Sequence, residues 1–332
     1  MGGGVRVVRD AAGRRTAGLG FAVLSSVAFG GSGPFAKALI GAGFTPQQAA
    51  WLRITGAAVL LVPLVLALRG RAGIAAARGS WVQLTLYGLT GVAGCQTLYF
   101  VAASRVPVGV AILLEFTGPV LVVAWLRFVR RSVVPRSAVI GVVVALAGLA
   151  CVVEVWTGLA IDPVGLLAGL GAAACQAAYF LLIDRLTGVT DPLVMTAAGS
   201  VAGAVALTFV AVPWAAPFGV LGETTAIGQR SAPAWTFAVW IIVVCTVVAY
   251  LAGVAAVQRL SAAVGGAVAY VEVVAASLSA WLLLGERLTT PQIAGGLIVV
   301  AGAFVAQTGV SHAAPGEVAP LETAEPETAR VA

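Results

Sequence analysis

Long apolar runs separated by short polar breaks dominate the chain. Ten of these runs reach the roughly 20 residues that an α-helix needs to cross a bilayer core. They cover about residues 17–38, 46–68, 81–103, 107–126, 136–156, 163–184, 192–213, 235–257, 261–283 and 291–309. The breaks hold turn and boundary residues: Gly41 to Pro46, Arg69 to Ser80, Pro107, Arg130 to Pro135, Asp162-Pro163, Asp191-Pro192, Ala232-Pro233, Ser261 and Thr289 to Pro291. Proline suits the first turn of a helix, where the N–H it lacks would go unpaired anyway. The pattern predicts an all-α integral membrane protein with ten transmembrane helices.

Composition narrows the class. Of 332 residues, 60% are hydrophobic and 10% charged, against about 25% charged in soluble domains. That excludes a cytosolic enzyme, a nucleic-acid-binding protein and a disordered scaffold. The net charge of +6 comes from one lysine and eighteen arginines, clustered between the apolar runs. With the N-terminus in the cytoplasm, Arg6, Arg9, Arg14, Arg15, Arg69, Arg71, Arg78, Arg127, Arg130, Arg131, Arg136, Arg185, Arg259 and Arg330 fall inside. Only Lys37, Arg105, Arg230 and Arg287 fall outside, and Arg53 lies within a span. The positive-inside rule therefore predicts both termini cytoplasmic. Arginine in place of lysine, with abundant Ala, Gly and Val, hints at a GC-rich bacterial genome, so the expected location is the bacterial inner membrane, multi-pass. Trp51, Trp81, Trp156, Trp214, Trp235 and Trp281 near span ends suit an interfacial belt. Cys95, Cys151, Cys175 and Cys245 sit singly in apolar runs, without metal-ligand spacing, and read as small buried hydrophobes. Residues 1–15 read as a cytoplasmic arm ahead of an uncleaved first helix, and 311–332 as a disordered cytoplasmic tail holding the sole histidine, His312.

A shift of 154 residues sets Trp81 on Trp235, Ala102 on Ala256, Arg105 on Arg259, Gly141 on Gly295 and Gly148 on Gly302. Each pair falls at a similar place in its span. The repeat divides the chain into residues 16–158 and 159–310. Five spans per half is an odd number, so the halves must face opposite ways across the bilayer. Inverted repeats mark secondary transporters, with the substrate site between the halves near the midplane.

Several motifs carry a family resemblance. Val106-Pro107-Val108-Gly109 through Leu114-Glu115-Phe116-Thr117-Gly118-Pro119, Gly31-Ser32-Gly33 through Ala36-Lys37, and Leu52-Arg53 resemble the threonine/homoserine exporter branch of the drug/metabolite transporter superfamily. Leu284-Gly285-Glu286-Arg287-Leu288-Thr289 is similar to the general motif of that superfamily in its ten-helix EamA-type form. The resemblance covers about residues 17–309. It implies two five-helix repeats around a central cavity walled by the first, third, fourth, sixth, eighth and ninth helices. Ser25, Ser26, Gln96, Tyr99, Glu115, Gln176, Tyr179, Tyr250, Tyr270 and Glu272 become candidate lining residues on that basis. Two departures stand out. Arg127 to Arg131 replaces a Leu-Gly-Glu motif after the fourth helix, and Val273 follows Glu272 where the branch often has proline.

A charge at the centre of a spanning helix costs roughly 2.5–3.5 kcal/mol on insertion scales, so each one needs a reason. Glu115 lies midway along the fourth run and Glu272 midway along the ninth. The repeat places them one helical turn from equivalence. Either they bind a substrate ammonium or a proton, or they are hydrogen-bonded helix glue. Arg53, roughly 10 Å into the second helix at 1.5 Å rise per residue, binds a substrate carboxylate, pairs with a gating acid, forms a structural ion pair, or snorkels to the outer interface. Lys37 is expected to snorkel likewise, Glu154 to sit at the interface, and Asp184 and Arg185 to form a boundary pair. Glu286 is expected to cap or tie its loop. Cys95-Gln96 with Tyr99-Phe100, and Cys175-Gln176 with Tyr179-Phe180, repeat one pattern on the third and sixth helices. Their amides and phenols either line a polar cavity or join helices. Gly141 with Gly148, and Gly295 with Gly302, suit close helix packing.

No nucleophile–base set, phosphate loop or metal cluster is legible, so neither catalysis nor a cofactor is expected. The reading is a secondary transporter, not an enzyme, working by alternating access on a small-molecule substrate, with protons as a candidate coupling ion. The resemblance implies export of small amino acids of the threonine or homoserine kind. The alternative is export or uptake of another metabolite or a drug-like amphiphile.

Overall fold

The computed structural model describes residues 3–131, 134–152, 161–186, 190–257 and 270–311. Ten apolar helices run through them: α1 (Thr16–Gly41), α2 (Pro46–Arg71), α3 (Trp81–Arg105), α4 (Val108–Val129), α5 (Arg136–Val152), α6 (Pro163–Tyr179), α7 (Pro192–Ala211), α8 (Ala234–Gly253), α9 (Val271–Leu284) and α10 (Thr290–Ala306). Six of them, α1 to α4 with α7 and α8, are long and apolar enough to cross a membrane, and the other four are shorter apolar helices. All ten coincide with the predicted runs. Glu154, Trp156, Arg259, the start of the predicted ninth run and the tail with His312 and Arg330 lie outside the described residues. So do the side chains of Arg6, Arg9, Arg14, Arg15, Asp184 and Arg185.

Local chemistry sets the helix starts. Thr45 and Gln48 cap α2 reciprocally, Gln48 N–H donating to Thr45 Oγ1 at 3.2 Å and Thr45 N–H to Gln48 Oε1 at 3.0 Å. Thr289 and Gln292 repeat this capping box at α10. Asp191 caps α7, accepting from Leu193 N–H at 2.9 Å, and Asp162 caps α6, accepting from Gly165 N–H at 2.8 Å. In both, proline follows at the first helical position.

Large apolar side chains face outward as well as inward, while several polar side chains are buried, unlike the surface of a soluble fold. Val59, Phe128, Leu167, Phe209 and Leu297 are exposed, whereas Arg53, Glu115, Ser200 and Thr246 are buried. The connection from α7 to α8 adds a feature the periodicity does not announce. β1 (Thr224–Ile227) and β2 (Arg230–Pro233) form an antiparallel hairpin, Ile227 opposite Arg230. Gly228 turns it with φ +59°, a left-handed value that favours glycine.

The helix packing obeys the exchange of halves. α5 packs on α10, and α2 on α7. α3 packs on α6, and its counterpart α8 packs on α1; likewise α4 on α6 and α9 on α1. A π-helical stretch interrupts α3 at Gly88–Gly94 and another interrupts α8 at Val243–Val248. Shifted by 154, the first falls on 242–248. The molecule is thus an all-α membrane protein of two five-helix repeats, inverted because five is odd.

The seam between α5 and α10 runs through the glycines. A Cβ built on Gly148 would lie 2.7 Å from Gly295 O, and one on Gly302 the same distance from Gly141 O. Neither position has room for a side chain, so these two helices touch backbone to backbone.

Candidate functional site

The polar residues converge between the halves. Arg53, on α2, is 2% exposed. Its Nε donates to Thr246 Oγ1 at 2.8 Å, Nη1 to Gln96 Oε1 at 2.7 Å, and Nη2 to the Cys245 carbonyl at 2.9 Å. Phe29 and Phe100 face the guanidinium carbon, with ring centroids 5.9 Å and 5.6 Å away. That is cation–π distance. Thr246 and Cys245 belong to the π-helical stretch of α8. Of the outcomes expected for Arg53, snorkelling does not occur. No acid hydrogen-bonds to it among the described residues.

Glu115 ends the first segment of α4, which breaks at Phe116 and resumes at Gly118. Its carboxylate is buried and accepts from Cys95 Sγ at 3.2 Å and Gln176 Nε2 at 3.3 Å. The consecutive residues Cys95 and Gln96 therefore hold the acid with one side chain and Arg53 with the next. The bond from Gln176, on α6, joins the second repeat to the first. The bonds from Arg53 to α8 do the same. Both charges thus sit on contacts between the repeats.

Glu272 is half-buried in the first turn of α9. α9 crosses α1 closely there, since a Cβ on Gly30 would lie 2.8 Å from Glu272 O. Tyr99 is buried beside Gly33 of α1, and its hydroxyl finds no partner among the described residues. Gln176 Oε1 is likewise buried and unpartnered among them. Tyr179 stacks near Tyr87, ring centroids 5.3 Å apart, and Tyr250 meets Phe29 edge-on at 4.9 Å. Tyr270 packs between Phe116 and Phe304 at 5.7 Å and 6.3 Å.

At the end of the molecule where α1 finishes, Lys37 does not snorkel. It forms an ion pair with Glu286. The same carboxylate accepts from Val108 N–H at 2.8 Å, capping α4. Gly285, at φ +72°, ends α9 in the left-handed conformation that turns Glu286 back toward that contact. The glutamate of the Leu-Gly-Glu motif thus ties α1, α4 and α9 together.

Sequence reasoning missed Cys95 as a donor and Thr246 as an anchor for Arg53. A hydroxyl amid the apolar run of α8 was the available signal for the second. The thiol gave none. No group of three or more His, Cys, Asp or Glu side chains with metal-binding geometry exists among the described residues.

Known proteins resemble the chain as follows. The model of the EamA-like transporter family matches residues 16–154 and again 163–308. The threonine/homoserine exporter RhtA of Salmonella typhimurium (strain LT2) is 30% identical over 224 residues, 67% of this chain and 70% of its own. RhtA of Escherichia coli (strain K12) is 31% identical over 222 residues, 66% of this chain and 69% of its own. A solved crystal structure 21% identical in sequence superposes over 89% of this chain and 98% of that one with a TM-score of 0.57, which shows the fold.

Proposed function

From the premise that the chain belongs to the EamA-like transporter family, and so to transporters and not enzymes, we propose that it exports small amino acids. The substrates are of the threonine and homoserine kind, and the movement is alternating access across a bacterial inner membrane with both termini in the cytoplasm. The exporter relatives support the direction and substrate class. The observation that carries the reading is Glu115: a buried carboxylate, held by donors from both repeats, at the place where they meet. It takes the substrate ammonium. Gln176 Oε1, buried without a partner among the described residues, is a second acceptor for the same group.

Charge balance supports proton coupling. Glu115 and Glu272 oppose one arginine, and a zwitterion adds no net charge. One negative charge is left over in an apolar setting, where an uncompensated charge is costly. One proton cancels it. Rocking of one repeat against the other then exposes the pair of carboxyls to each side in turn.

The test is counterflow of labelled threonine in proteoliposomes, with unlabelled metabolites as competitors and Glu115→Gln beside the wild type. Exchange that homoserine competes with, and that the variant loses, is the expected result. If folded protein exchanges no amino acid, the reading is wrong. Competition by hydrophobic cations alone would move the assignment to drug-like amphiphiles.

A further inference from the structure

The mode of Arg53 burial points to the second half of the substrate. A guanidinium carries five N–H donors in a rigid fork. Three of them have acceptors here: Thr246 Oγ1, Gln96 Oε1 and the Cys245 carbonyl. That leaves one N–H on each terminal nitrogen without an acceptor among the described residues. All three acceptors are neutral. Burying a cation with neutral partners alone is costly, and such groups ordinarily find a carboxylate. Among the described residues neither Glu115 nor Glu272 hydrogen-bonds to Arg53, and Glu115 accepts from Cys95 and Gln176 instead.

Gln96 is the exposed side of this arrangement. It is half-buried, whereas Arg53, Thr246 and Cys245 are buried. Its Oε1 offers Nη1 what one carboxylate oxygen would offer, without the charge. Through Cys95, its chain neighbour, it stands directly beside the contact of Glu115. An α-amino acid carries an ammonium for the one contact and a carboxylate for the other on a single carbon.

We infer that Arg53 anchors the carboxylate of a zwitterionic α-amino acid, and that Gln96 gives up its place on the guanidinium to that carboxylate when the ligand binds. This rests on the amino-acid reading above and narrows it. The site requires both charged groups of the ligand, so it rejects amines that lack the acid and acids that lack the amine. Planar, charge-assisted pairing makes arginine the residue suited to this task, and lysine is no substitute.

The experiment uses full-length protein in proteoliposomes and a matched ligand series: threonine, homoserine, threonine amide and the amino alcohol that lacks the carboxylate. On the wild type, the two amino acids are expected to compete at least about tenfold better than the amide and the alcohol, as loss of a charge-assisted pair implies. Gln96→Glu, nearly isosteric, installs a resident carboxylate on Arg53. It is expected to keep a wild-type unfolding temperature or raise it while counterflow falls about tenfold or more. Arg53→Lys is expected to flatten the preference for the acid. The ligand series needs no variant, so poor folding of Arg53→Lys leaves the question decidable. An amino alcohol that competes as well as threonine overturns the inference and leaves Glu115 as the ammonium site. Gln96→Glu exchanging at the wild-type rate also overturns it. A wild type that no amino acid enters overturns the amino-acid reading and this inference together.

Discussion

The crossing of α2 with α8 and the crossing of α7 with α3 are the same place in the two repeats, yet they hold opposite chemistry. Aligning Pro46 with Pro192 sets Arg53 on Gly199, and the 154-residue shift sets Thr246 on Val92. Both crossings include a π-helical stretch, so the backbone plan is shared. At α2/α8 the space holds a guanidinium bound to Thr246 and the Cys245 carbonyl. At α7/α3 the space is closed: a Cβ on Gly199 would lie 2.5 Å from Tyr87 Cδ1, and one on Gly88 the same distance from Gly199 O. Tyr87 and buried Val92 fill what Arg53 and its partners fill in the other half. A duplicated scaffold thus keeps its joints and differentiates its contents. One crossing holds a buried charge, and the other is packed shut.

The largest expected effect comes from loading the packed crossing. Gly199→Leu places a branched side chain where a Cβ already overlaps Tyr87, and overpacking of this kind costs about 1–3 kcal/mol or more. Loss of monodisperse protein in detergent is the readout, with partial recovery in the Gly199→Leu, Tyr87→Ala double variant. If Gly199→Leu behaves as wild type, the crossing is not packed as described.

Emptying the charged crossing ranks next. Arg53→Met removes the cation and takes a donor from the buried Cys245 carbonyl, at about 1–3 kcal/mol, while Thr246 keeps its bond to the Ile241 carbonyl. A lowered unfolding temperature together with loss of threonine counterflow is expected. Retained exchange would show that the charge has no part in transport.

Thr246→Val makes the second crossing resemble the first at one position. It deletes one hydrogen bond to a charged group, worth about 1.5–3 kcal/mol. Substrate affinity should fall while the protein stays folded. An unchanged competition curve would remove Thr246 from the set that orients Arg53.

The reciprocal change, Val92→Thr, is expected to matter least. Thr246 already shows that a hydroxyl in a π-helical stretch can donate within its own helix, to the Ile241 carbonyl at 2.8 Å. With that option, the cost stays near the ~1 kcal/mol of a lost methyl contact. A collapse of stability on thermal unfolding would mean the two π-helical stretches are not equivalent.

Much of this was legible in the chain because a membrane protein writes its exceptions plainly. Arg53 and Glu115 stand out as lone charges in apolar runs, and Asp-Pro and Thr-x-x-Gln mark helix starts that the structure shows capped. The glycines of α5 and α10 read as suited to close packing, and the structure shows that they face one another. Other features had no local signature. The role of Cys95 depends on Glu115 arriving from twenty residues downstream, through a turn. Lys37 looked like a snorkelling cation because its partner, Glu286, is 249 residues away in sequence. The π-helical stretches leave no periodic trace in helices that are apolar all round. The hairpin between α7 and α8 is only two four-residue strands, too short for alternation to show.

The seam between α5 and α10 carries an evolutionary corollary. Gly141 faces Gly302, which is the repeat copy of Gly148, and Gly148 faces Gly295, which is the repeat copy of Gly141. Such a contact is self-complementary, as in a two-fold dimer. A polypeptide of half this length, bearing only two such glycines, already owns both sides of the joint. It needs no partner but another copy of itself inserted upside down. Fusion of the two copies would then have preserved the joint while freeing each half to mutate alone.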